Sequence, residues 1–259
     1  MAARVVRAVQ PWLEPHERWA RALDWPAADA PDIERLNAFA HARPCEAGSG
    51  QPLRFVESDQ TAVPDRGYER LIFDQACVPT RLAGRGARHD FANALAWLAF
   101  PRLKARLNAL HVEALADARI PGQRGRLRDR ATLFDESGAL VVTSDARLAK
   151  LIREFRWREL FVDHRNQWAT SIRVLIVGHA LLEKLCTPYK SICAQAWLLD
   201  QRVSFSLDQI DAAAAGGLDA DVLASLTPLP IMGIPGWLPA NEDPTFYNDP
   251  KVFRTGRRA

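Results

Sequence analysis

The stretch from His89 to His111 constrains the fold most: a helix-spaced apolar pattern that breaks once, at Phe100-Pro101. Phe91, Leu95 and Leu98 form one stripe before the break, and Leu103, Leu107, Leu110 and Ala114 form a second after it. Proline ends the first helix. It suits the first turn of the next, where its missing N–H has no partner to lose. The prediction is two helices joined as a hairpin or bend. The longest apolar run, Ala94 to Phe100, is far shorter than a membrane span, as is Val174 to Leu182, so no membrane segment is expected.

Helical spacing also marks the N-terminal third. Trp12, His16, Trp19 and Leu23 recur on one face, and Asp32 stands where a cap for a helix through Ile33, Leu36 and Phe39 belongs. Residues 44–52 are loop, and Leu53–Val56 is a short strand. Tyr68–Cys77 fits either helix or strand. Pro79–Arg88, with Gly84 and Gly86, is a loop feeding the helix at His89.

After an arginine-rich loop over 121–130, Ala131–Thr143 is predicted as strand, turn at Gly138 and strand, with Ser144 and Asp145 capping a following helix. Ile172–Val177 and Ile192–Leu199 read as strands, and Asp208–Ala215 and Asp219–Leu226 as short helices. From Thr227 the chain is proline-rich, and apolar residues between prolines are expected to pack as a strap without forming a ladder. The sum is α+β: a helix-rich single domain with a small, mostly antiparallel sheet and an irregular C-terminal arm. Its parts are an N-terminal helical region (1–52), a core (53–226) and the arm (227–259).

Composition narrows the class. The hydrophobic share of 48% and charged share of 25% are those of a globular chain. Cys45, Cys77, Cys186 and Cys193 show neither a CxxC pair nor zinc-ligand spacing, and they read as free thiols. Residues 1–15 lack the apolar core of a signal peptide, so a cytoplasmic location is expected. The net charge is +3, yet residues 79–130 alone hold 11 basic and 4 acidic side chains. That concentration points to an anion site. It is tempered by an overall bias of 29 Arg to 5 Lys.

Several blocks stand together: Val78-Pro-Thr-Arg81, His89-Asp90-Phe91-x-Asn93, Phe100-Pro101-Arg102-x-Lys104, Asn108-Ala-Leu110-His111, Arg128-Asp129-x-x-Thr132-x-Phe134-Asp135-Glu136-x-Gly138, Gly178-His179-Ala-Leu-x-Glu183-Lys184 and Gly233-Ile-Pro-Gly236-Trp237. Together they resemble the uncharacterised bacterial family catalogued as domain of unknown function 3025, from about residue 53 to 254. The resemblance implies a bacterial single-domain protein and supplies no mechanism. Leu133 to Val141 also resembles the first motif of haloacid-dehalogenase-like phosphatases, Asp-x-Asp-x-Thr. Ser137 and Ala139 replace its second Asp and its Thr, so the leaving group has no acid and that reading is rejected. Asp135 and Glu136 are left to a turn.

Three constellations remain. His89 and Asp90 open a helix, where the acid favours the dipole, and His111 and Asp129 could join them as further ligands or bases. His179 and Glu183, spaced i, i+4 after an apolar strand and Gly178, could form a base and its orienter. Each has an ordinary alternative in capping or surface pairing. Arg81, Arg85 and Arg88 surround Gly84 and Gly86, while Arg124, Arg126 and Arg128 flank Gly125, a pattern that suits phosphate or carboxylate. The leading expectation is an enzyme, such as a hydrolase, acting on an anionic small molecule through histidine acid/base chemistry. The alternative is a non-enzymatic protein recognising nucleotide, nucleic acid or a protein partner, with nucleic acid less favoured. The sequence names no metal and no cofactor.

Overall fold

In the computed structural model, which describes residues 10–28, 30–60, 67–116 and 125–256, the Phe100-Pro101 break separates two central helices. The elements in order are α1 (Glu17–Ala22), α2 (Ile33–Ala42), β1 (Arg54–Glu57), α3 (Tyr68–Gln75), β2 (Cys77–Thr80), α4 (Ala87–Ala99) and α5 (Pro101–Ala116). There follow α6 (Arg126–Ser137), β3 (Gly138–Val142), α7 (Ala146–Arg153), α8 (Trp168–Ser171), β4 (Arg173–Ile176), α9 (His179–Lys184), β5 (Cys193–Leu199), α10 (Leu207–Gly217), α11 (Ala220–Ser225) and β6 (Thr227–Pro230). The chain is thus a helix-rich α+β domain. None of the described helices is long and apolar enough to cross a membrane.

Helix α4 is buried on every side from Asp90 to Ala99, the mark of a helix enclosed by others. It packs on α9, α5, β2, α1 and α2. Where α5 begins, its first backbone donors need partners. Asp211 of α10 supplies them, accepting from Arg102 N at 3.1 Å and Leu103 N at 2.9 Å. The N-terminal stripe is buried as its spacing predicts, but only Glu17–Ala22 is α-helix, with Trp12 in a 3-10 turn (Pro11–Leu13) before it. His16 reaches between helix and sheet, its Nε2 2.9 Å from Ile176 O and its Nδ1 3.4 Å from Leu95 O. Asp32 and Asp145 cap α2 and α7 as expected.

The main sheet has the order β4-β3-β5-β6, with β3 antiparallel to β4, parallel to β5, and β5 antiparallel to β6. It is mostly antiparallel. A second, two-stranded sheet pairs β1 with β2 in parallel.

Three readings change. Tyr68–Cys77, open between helix and strand, is helix α3 running into β2, and that strand includes Pro79 and Thr80, where a loop was predicted. The strand–turn–strand over 131–143 is instead the end of α6 followed directly by β3. Leu127, Ala131 and Phe134 lie at i, i+4 and i+7 and turn one face of α6 to the core, so helical period overrides the local turn chemistry. Gly138 makes the helix-to-strand passage possible, because a Cβ there would sit 2.3 Å from Phe134 O. Finally, the proline-flanked Thr227–Pro230 does form a ladder, with β5. Pro228 and Pro230 are two residues apart and share one orientation, and at a sheet edge the outward side needs no donor.

Beyond β6 the arm packs as a strap. Asn241 donates to Met232 O and Ile234 O, and the Tyr247 hydroxyl donates to Gly233 O. Phe161 stacks between Trp168 and Tyr247.

Candidate functional site

The start of α9 is pressed against the end of α6. Val177 N and Gly178 N both donate to Gly138 O, which closes the end of β4 onto the first residue of β3. A side chain at position 178 would place its Cβ within 2.6 Å of Glu136 O, Ser137 N and Gly138 N, so only glycine permits the approach. Two consequences follow from that contact. His179, in the first turn of α9, faces Asp135 and Glu136 in the last turn of α6. Packing of α9 on α4 brings His89 to the same point.

The two imidazoles meet edge to face, with ring centroids 4.5 Å apart and Nε2 atoms 3.0 Å apart. Each has a carboxylate behind it. His89 Nδ1 lies 3.1 Å from Glu183 Oε2, and His179 Nδ1 lies 3.6 Å from Asp135 Oδ2. Glu136 Oε1 is 4.0 Å from His179 Nε2. Donor atoms of His89, Glu136 and His179 all fall within 4.8 Å of one another. They are the described residues best placed to hold a metal ion.

Burial sets the electrostatics. His179 is 6% exposed, and desolvation holds its imidazole down at about 4; Asp135 opposes this, while Lys104 and His89 add to it. Burial alone would raise Asp135, but the charges of Lys104 and His179 and the hydrogen bond from Lys104 outweigh it and hold the carboxyl at about 2. Lys104, 4% exposed on α5, donates to Asp135 Oδ1 and, at 3.0 Å, to Asn93 Oδ1. Its ammonium lies 5.3 Å from the centre of the Trp97 ring. Asn93 in turn donates to the Tyr68 hydroxyl at 3.1 Å. Burial first, and then Glu69, Asp90 and Asp135, push the Tyr68 phenol well above its ordinary value. Hydrogen bonds thus link Tyr68–Asn93–Lys104–Asp135 and His179–His89–Glu183, and the two runs form one polar chain that meets at 3.6 Å between Asp135 and His179 Nδ1, which has no hydrogen-bond partner.

This chain lies along a cavity of about 300 Å³ lined by Tyr68, Arg81, His89, His111, Arg128 and Glu136 among others. His111, 4% exposed, has no hydrogen-bond partner for either ring nitrogen. Arg128, Thr132 and Asp135 follow one another along one face of α6 toward the histidines.

Of the residues singled out from the sequence, His89, Asp90, His111, His179, Arg81 and Arg128 line the cavity, and Glu183 touches His89. Asp129, Arg85 and Arg126 are exposed and stand outside the lining, and so does the exposed Arg88. Arg124 lies outside the described residues. Two assignments change. Glu183 orients His89 rather than its own helix neighbour His179, because α9 packs on α4 with that face. Asp90 does not cap α4. Its carboxylate takes the Arg81 backbone N–H at 2.9 Å and both arms of the Arg81 fork at 2.7 Å, which raises Arg81 above its ordinary value. Arg81 is thereby occupied by a carboxylate of its own chain.

Sequence reasoning missed Asp135 and Glu136, which it left to a turn, and it missed Tyr68, Glu69 and Thr132. One signal was present. Lys104 interrupts the buried stripe of α5 between Leu103 and Leu107, and a lysine on that face needs a buried acid.

A family model described as "Protein of unknown function (DUF3025)" matches residues 53–257. The chain belongs to that family. The match spans every residue of the site just described, while the stripe carrying His16 precedes it. No curated protein and no solved structure matches the chain.

Proposed function

We propose that this member of the DUF3025 family is a hydrolase acting on a small anionic molecule, with water activated where His89, His179 and Glu136 converge. The observation that carries this reading is the pair of imidazoles, each backed by its own carboxylate, at the wall of a cavity sized for a small molecule. The two Nε2 nitrogens, 3.0 Å apart, are placed to hold and polarise a nucleophile, and Glu183 fixes the tautomer of His89. In the overall step the water oxygen bonds to an electrophilic carbon or phosphorus. The bond to the leaving group breaks, and the proton of the water ends on that group. Arg128, half-buried on the lining, is the cation suited to hold a carboxylate or phosphate on the substrate. A reducing, cytoplasmic setting is supported by four cysteines that are all free.

The test is a screen of the purified protein against chromogenic phosphomonoesters and carboxylate-bearing esters and amides. His89→Ala and Asp129→Asn are run beside the parent. Turnover should fall by at least about 100-fold in His89→Ala and stay unchanged in Asp129→Asn. A panel in which the parent never exceeds His89→Ala rejects the hydrolase.

A further inference from the structure

We propose that His89 Nε2, His179 Nε2 and a carboxylate oxygen of Glu136 form a site for one divalent first-row transition ion, of which zinc is the reference case. This rests on the hydrolase reading only for what the ion would do; the site itself rests on geometry.

A neutral imidazole that turns its Nδ1–H toward a carboxylate must carry its lone pair on Nε2. His89 hydrogen-bonds Glu183 through Nδ1 at 3.1 Å, so its lone pair is on Nε2, 3.0 Å from His179 Nε2. His179 Nδ1, 3.6 Å from Asp135 and without a hydrogen-bond partner, is free to carry that ring's proton when a metal ion replaces the proton between the two Nε2 atoms. Tetrahedral zinc with bonds of about 2.05 Å to nitrogen sets its ligand atoms roughly 3.3 Å apart, so the observed gap is within a few tenths of an ångström of the requirement. Glu136, with its oxygen 4.0 Å from His179 Nε2 and its side chain partly in solvent, completes the set by a small rotation.

The surroundings match a catalytic metal site. A carboxylate behind a ligating histidine fixes its tautomer and strengthens the ligand; Glu183 is hydrogen-bonded to His89 in this way, and Asp135 lies 3.6 Å from His179 Nδ1. Three protein ligands leave a fourth position open to the cavity. His111 supplies an independent observation: a buried imidazole on the same cavity with neither nitrogen satisfied. Groups of that kind rarely stay unpaired without a water or ligand to meet them. Of the lining carboxylates, Asp90 is taken by Arg81 and Asp135 by Lys104, which leaves Glu136 beside the two histidines for a cation, while Arg128 contributes positive charge elsewhere on the wall. Two histidines and one carboxylate suit zinc and also iron(II), which is why the class of ion is stated and not a single element.

The experiment uses the full chain, stripped with a chelator and dialysed, then titrated with zinc chloride by calorimetry. Cobalt(II) is titrated in parallel and followed by its visible absorption. One ion per chain is expected, with the intense bands of a four-coordinate cobalt site. His89→Ala and Glu136→Gln should each weaken zinc binding at least about 100-fold, and Glu183→Gln about 10- to 100-fold. His41→Ala, at an exposed position, should leave it unchanged. Circular dichroism melts of each variant without metal establish that it is folded. The proposal is overturned if the parent binds no zinc. It is equally overturned if binding survives in His89→Ala and Glu136→Gln. A protein that binds zinc but hydrolyses nothing keeps the metal site and loses the hydrolase. Hydrolysis that persists in metal-free protein keeps the hydrolase and removes the ion from its reaction, and the zinc titration alone then decides the site.

Discussion

Replacing Lys104 with methionine tests the buried polar chain on which the whole site rests. Methionine preserves the apolar stem and most of the volume, so packing against Trp97 is largely kept. What is lost is the ammonium that binds Asp135 and Asn93 from a position 4% exposed. Asp135 is then a buried carboxylate that has lost its ammonium partner and keeps only the imidazoles of His179 and His111 nearby. Removing one member of a buried ion pair costs about 3–5 kcal/mol, since the other is left without compensation. Unfolding entropy of about 2.1 cal/mol/K per residue over 259 residues makes each kcal/mol worth about 2 °C. The melting temperature should therefore fall by about 6–9 °C at pH 7, read by differential scanning calorimetry. Asp135→Asn and the double variant complete a thermodynamic cycle, in which a coupling above about 2 kcal/mol is expected for groups in direct contact. If Lys104→Met melts within about 1 °C of the parent, the ammonium does not compensate Asp135 and the electrostatic account of the site is wrong.

Other outcomes follow from single contacts. Burial holds the His16 imidazole at about 4, below its ordinary 6.5, despite hydrogen bonds to the Ile176 and Leu95 carbonyls that pull the other way. The unfolded chain takes a proton that the folded chain refuses, so the His16 contribution is complete above pH 6.5 and falls as pH drops toward 4, by about 3 kcal/mol in all. Denaturant titrations of the parent and His16→Gln should diverge in slope across that window, and parallel pH profiles would exclude the effect. Gly178→Ala drives a Cβ into backbone atoms of Glu136, Ser137 and Gly138 that cannot rotate away. It should cost about 1–3 kcal/mol and weaken zinc binding as His179 is displaced; an unchanged melt and affinity would show that the contact can relax. Asp211→Ala strips the acceptors from the first donors of α5 and should cost about 2 kcal/mol in urea titrations, and Asp211→Asn, which keeps one of the two acceptor oxygens, should recover at most about half of it. If the exposed arginines instead read RNA, filter binding should weaken steeply between low and moderate salt, and a flat response excludes that role.

Local signals carried far. The Phe100-Pro101 break, the caps at Asp32 and Asp145, the buried stripe of Trp12, His16 and Trp19, and the strands around 174 and 196 were legible because each depends on residues a few positions apart. His89, His179 and Glu183 were visible for the same reason, as titratable groups at helix starts. The failures share one cause too. Over 131–138 turn-forming residues competed with a helical stripe, and burial of Ala131 and Phe134 decided for the helix. The edge position of β6 decided whether prolines could join a ladder.

By itself the sequence determined a helix-rich α+β chain with two histidine-bearing helix starts and the means to form each of them. Only the tertiary structure decided which carboxylate serves which histidine. Glu183 is four residues from His179 but bonds His89, 94 positions away, and Asp135 and Glu136 reach His179 because a glycine lets α9 touch the end of α6. Spacing along a helix sets which face a side chain shares, whereas the partner across that face is chosen by packing between elements, which no short window of sequence contains.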